Sequence, residues 1–66
     1  MKYHANYTKV RLMTDKFRAE GVKEGDTGYI IEVYGDGNYE VEFSEAHTGI
    51  TIAQIVAHHT ELEACS

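Results

Sequence analysis

One hairpin constrains this chain more than any other feature. Tyr29-Ile30-Ile31-Glu32-Val33-Tyr34 is β-branched and aromatic, and Tyr39-Glu40-Val41-Glu42-Phe43 alternates apolar with acidic residues. Between them Gly35-Asp36-Gly37-Asn38 supplies residues that tolerate the positive φ angles of a tight turn. Successive strand residues point to opposite faces, so Tyr39, Val41 and Phe43 share one side while Glu40 and Glu42 share the other. A lone hairpin is marginal in water, so the remaining chain has to cover that apolar side.

Little chain is available for the task. The protein has 66 residues, enough for a single domain and too few for a large enzyme pocket. Cys65 is its only cysteine, which leaves no internal disulfide and no CxxC pair for zinc, so the apolar core must hold the fold. At 42% hydrophobic and 11% aromatic, the composition supplies that core. No apolar run approaches a membrane span and the first seven residues are too polar for a signal peptide, so a cytoplasmic protein is expected.

Residues 1–6, including Tyr3, carry no periodic signal and read as a flexible N-terminal arm; residues 7–66 form the domain. Residues 7–13 alternate, with Val10 and Leu12 on one face and Lys9 and Arg11 on the other, and predict a first strand. Residues 14–26 read as a loop whose two apolar residues, Phe17 and Val22, fold back as a lid. In the last third, Ile52, Ile55, Val56 and His59 have helical spacing and Thr51 with Gln54 mimics a capping box. The same stretch also fits a strand over 50–56, a turn at 58–60 and a short strand over 62–64, and periodicity leaves both open.

The succession of Val10-x-Leu12, Gly21-Val22-Lys23-x-Gly25-Asp26-x-Gly28, Ile30-Ile31-Glu32-Val33-Tyr34 and Tyr39-x-Val41-Glu42-Phe43 resembles the small bacterial SH3-like family called domain of unknown function 4926. The resemblance spans residues 10–62. It implies an all-β, small five-stranded SH3-like, partly open barrel, with strands rather than a helix in the last third. It brings no chemistry, because the shared residues are turn glycines and core apolars. The chain lacks the proline common in the family's first loop, and Gln54 and Ala57 stand where larger apolars are usual. The expected core is Val10, Leu12, Val22, Ile30, Ile31, Val33, Val41, Phe43, Ile52, Ile55 and Leu62.

Charge is distributed unevenly. All six cations lie in the first 23 residues, where only Asp15 and Glu20 oppose them; the remaining nine carboxylates meet no Lys or Arg, and the net charge is −5. One reading is local neutralisation, with the basic first strand laid beside acidic ones. The other is an acidic surface that steers a basic protein partner. Gripping phosphates needs a contiguous cationic footprint, so nucleic acid is disfavoured.

No catalytic, cofactor or metal residue emerges. His58 and His59 are adjacent and should point apart on a strand; with His47, His4 and Cys65 they offer no HxH or HxxxH spacing, and read as turn histidines facing solvent. No GxSxG, phosphate loop or dinucleotide fingerprint is present. The best contact surface is the hairpin: Glu32, Tyr34, Glu40, Glu42 and Tyr29, since tyrosines beside carboxylates favour basic side chains or cage a methylated ammonium. The plainer alternative places Tyr39 in the core and the other tyrosines on strand faces. The expected function is a non-enzymatic interaction module, an immunity or antitoxin-type or other accessory inhibitor of a basic protein; the alternative is a nucleic-acid-associated SH3-like domain. Edge strands and a small core also predict a homo-oligomer.

Overall fold

Alternating residues become strands throughout the chain. The computed structural model describes residues 4–65. Five strands, β1 (Lys9–Leu12), β2 (Thr27–Val33), β3 (Asn38–Ser44), β4 (Thr51–His58) and β5 (Leu62–Ala64), form one antiparallel sheet in the order β4-β3-β2-β1-β5. The two outer strands do not pair with each other, so the sheet stays open. Two short 3-10 turns complete it: Arg18–Glu20 in the first loop and His59–Glu61 between β4 and β5. The described residues contain no α-helix, and no helix is long and apolar enough to cross a membrane. The last third is therefore strand, turn and closing strand. Tyr3 and the rest of residues 1–3 of the arm lie outside the described residues.

The hairpin forms as its residues dictate. Gly35 and Gly37 take φ of +85° and +92° at the turn, and the Asp36 carboxylate accepts the N–H of Asn38 at 3.0 Å. β3 is the central element of this half of the sheet, pairing β2 on one side and β4 on the other.

The core lies on one face of the curled sheet. Val10, Leu12, Val22, Ile30, Val41, Phe43, Ile55 and Leu62 are buried as expected, and they are joined by Tyr39, Ala53 and Ala57. Three expected core residues are corrected, two by bulges and one by the end of its strand. Register shifts between Ile30 and Glu32, so Ile31 is the extra residue of β2, only half-buried, and Val33 beyond it is exposed at the strand end. A second shift between Phe43 and Ser44 makes Ile52 the extra residue of β4 and leaves it half exposed. The first loop is the expected lid: Val22 is buried, and Phe17 packs against the core from the side.

At Gly28 the strands come unusually close. A Cβ there would stand 2.6 Å from the Glu42 carbonyl oxygen and 2.9 Å from Cδ2 of Phe43. Gly28→Ala is expected to cost about 1–3 kcal/mol through this overpacking, and Val41→Ala about 2 kcal/mol or more through a cavity. Urea denaturation checks both, and an unchanged midpoint for either variant would show that the residue is not packed this closely.

Candidate interaction face

The side of the sheet opposite the core is built by cross-strand pairing. Residues directly opposite on neighbouring strands share a face. Lys9 of β1 therefore lies beside Tyr29 of β2, Tyr29 beside Glu42 of β3, and Glu42 beside Gln54 of β4. In the next row Glu32 pairs with Glu40, and Glu40 with Val56. Four of the five candidate residues thus stand together: Tyr29, Glu32, Glu40 and Glu42. The fifth, Tyr34, joins them by donating its hydroxyl to Glu40 Oε1 at 2.5 Å.

Hydroxyls, rather than cations, hold these carboxylates. Glu42 Oε2 accepts from the Thr51 hydroxyl at 2.6 Å, and Glu40 accepts from Tyr34. The hydrogen bond to Glu40 holds the Tyr34 phenol above its ordinary pKa, assisted by desolvation and by the charges of Glu40 and Glu32. No ion pair of the described residues involves Glu32, Glu40 or Glu42. Like charges directly opposite on neighbouring strands are destabilising, so the Glu32–Glu40 pair carries a cost the fold does not relieve.

The described cations are mostly engaged elsewhere. Arg11 meets Glu63 at 3.2 Å, Lys16 meets Glu61 at 2.5 Å, Arg18 meets Asp15 at 3.4 Å and Lys23 meets Asp26 at 3.2 Å. Local neutralisation therefore operates around the first loop and β5. Of the carboxylates without an ion pair, Glu20 and Glu24 lie in the first loop and Glu45 follows β3, while Glu32, Asp36, Glu40 and Glu42 are gathered on the hairpin. Glu61 illustrates the paired end: burial pushes its carboxyl up, but Lys16 and the His58 N–H outweigh that and hold it below the ordinary value.

Tyr39 is buried, on the side away from Tyr29 and Tyr34, so the three tyrosines do not form a cage. Val56, half exposed beside Glu40, is a member of this face that the sequence reading did not include. Its signal was the alternation of Ala53, Ile55 and Ala57 against Gln54 and Val56, masked by the helical spacing of Ile52, Ile55 and Val56.

The histidines depart from expectation. The chain leaves β4 at His58, so the His58 and His59 rings do not point apart but lie 4.2 Å from each other, both half-buried. His58 caps the following turn, its Nδ1 accepting the Thr60 N–H while Glu61 accepts the N–H of His58. His4 packs edge-on against Tyr39 with centroids 5.2 Å apart, and its backbone N–H donates to the Tyr39 hydroxyl at 3.2 Å. Among the described residues no group of three or more His, Cys, Asp or Glu is placed to hold a metal ion.

Burial, and then the charge of His59, hold the His4 ring below its ordinary pKa of 6.5. A depressed histidine contributes stability that is intact above pH 6.5 and is lost as pH falls through its folded value. Ring titration by NMR should give His4 a pKa below 6.5, with its Tyr39 contact loosening over the same range. A ring titrating at or above 6.5 contradicts the packing of His4 against Tyr39.

The sequence matches the family model described as Domain of unknown function (DUF4926) over residues 7–64. No curated protein and no solved structure matches the chain significantly.

Proposed function

The chain belongs to the DUF4926 family, and we propose that this member is a non-enzymatic interaction module that takes a basic protein on the outer face of its hairpin. The observation that supports this reading is the trio Glu32, Glu40 and Glu42, gathered on one face without a cationic partner and flanked by Tyr29 and Tyr34. An arginine or lysine from a partner would relieve the Glu32–Glu40 repulsion and stack on a tyrosine ring. Tyrosine and apolar Val56 add the desolvated contact area from which such interfaces draw most of their energy. An immunity or antitoxin-type inhibitor of a basic toxin is the function class that fits this chemistry.

Nucleic acid fits poorly. Four described cations are turned to carboxylates, leaving Lys9 on the acidic face itself without an ion pair. A phosphate backbone approaching there meets three carboxylates.

The test uses the intact chain as bait in its native source, followed by purification of the captured protein and measurement of association rates. The triple variant Glu32→Gln, Glu40→Gln, Glu42→Gln should keep the fold by circular dichroism but associate at least about tenfold more slowly, because such charges act chiefly on the on-rate. Raising salt should slow the native chain in the same way, as the screening length falls from about 10 Å at 0.1 M to about 3 Å at 1 M. Binding indifferent to the triple variant, or saturable binding to duplex DNA or RNA at physiological salt, overturns the reading.

A further inference from the structure

A five-stranded open sheet has two edges, and this one guards only the first. β5 is three residues long and carries Glu63, with Glu61 just before it. Short length and charge are standard protections against strand addition. β4 is eight residues long, and residues 50–57 contain neither a charged side chain nor a proline. An uncharged edge of that length is a template for another strand.

The direction of its backbone groups follows from the ladder. The His59 N–H donates to the Gly37 carbonyl, which faces that end of β3 toward β4, and Tyr34 N–H donates to the Asn38 carbonyl, which faces β2. Alternation then turns the N–H and C=O of Ala57, Ile55 and Ala53 inward to β3, and those of Gln54, Val56 and His58 outward. The His58 N–H is already taken by Glu61. At the other end the bulge at Ile52 breaks the regular edge, and Ile52 lies against Gly21 of the first loop. Gln54 and Val56 remain, with four backbone groups directed away from the sheet.

We propose that β4 is a self-association edge, on which a second copy pairs antiparallel through residues 53–57 about a two-fold axis at Ile55. Only that register satisfies all four groups, setting Gln54 of each copy opposite Val56 of the other. An axis at Gln54 would engage the bulged Ile52, and one at Val56 would engage the occupied His58. The two-fold also brings Ile55 beside its counterpart on the core side, extending one apolar layer across both copies.

Charge favours a second copy over a foreign strand. Two chains of net −5 repel one another, and they meet here along a stretch that carries no charge. The carboxylates of β3 stay three strand spacings from those of the other copy, about 14 Å, beyond the screening length of about 10 Å at 0.1 M salt. A basic partner would instead be drawn to the acidic face. The guarded β5 edges stop the assembly at two copies. This inference uses the sheet edge and does not rest on the proposed binding of a basic protein.

Sedimentation equilibrium from micromolar to millimolar concentration should show a species of twice the 7.4 kDa chain mass. Gln54→Pro removes an outward N–H that β3 does not use, an edge position where proline is tolerated, and should abolish that species. Gln54→Ala keeps the N–H and should leave it intact, as should the triple glutamine variant of the acidic face. In the native chain, amide exchange at Gln54 and Val56 should be slow at millimolar concentration and accelerate on dilution. A single chain mass throughout, a folded Gln54→Pro that still associates, or fast exchange at both amides within the associated species overturns the proposal. Should Gln54→Pro fail to fold, the exchange measurement decides alone.

Discussion

Phe43 against the backbone of β2 is the contact on which the rest of this structure depends. It is the largest of the fully buried side chains, and it lies where Gly28 offers no Cβ to hold the strands apart. A sheet with one apolar side and no helix to cover it must bend over that side and cover itself. The close approach at Gly28 permits the bend, and Val22 and Phe17 of the first loop close over what remains. With no internal disulfide to brace a chain of 66 residues, each of these contacts carries a large share of a small total. The buried apolar side chains are thereby committed to one face, and the opposite face carries carboxylates together with exposed Tyr29 and Val56.

On that opposite face the charges separate by neighbour. Around the first loop and β5, cations and carboxylates pair, and the three exposed pairs, Arg11–Glu63, Arg18–Asp15 and Lys23–Asp26, contribute little to stability, whereas Glu61 of the Lys16 pair is largely buried. Their effect is rather on the field around the molecule, since they leave the hairpin as the concentrated source of negative potential. Hydroxyls from Tyr34 and Thr51 orient two of its carboxylates without neutralising them. The proposed interaction draws on this gathering of carboxylates that no cation neutralises.

Much of this was legible from residues alone. Clean alternation in Tyr39 to Phe43, the turn glycines at 35 and 37 and the apolar pair Val10 and Leu12 fixed three strands, because a period of two admits one assignment of faces. The last third was not legible by itself: Ile52, Ile55 and Val56 satisfy helical spacing because Val56 is apolar on the outer face and Ile52 sits at a bulge, so apolar residues fall on both faces of one strand. The same physics misplaced Ile31, whereas Val33 stays on the core side opposite Tyr39 and is exposed because β2 ends there. Of the candidate face, the five hairpin residues were legible from composition near one turn, whereas Val56 depended on register across β3, which no local pattern reports.

The bulge at Ile31 also decides where Glu32 goes. Ile30 is buried, and strict alternation from it would send Glu32 to the same side, into a core that holds no buried charged group among the described residues. One inserted residue turns Glu32 outward, opposite Glu40. The bulge thus avoids a buried carboxylate, but it does so by creating a like-charge pair that a neutral residue at 32 would have spared. Nothing in the packing calls for a carboxylate at that position: Glu32 is exposed and makes no ion pair. The proposed binding face therefore draws on a charge that the fold itself does not use.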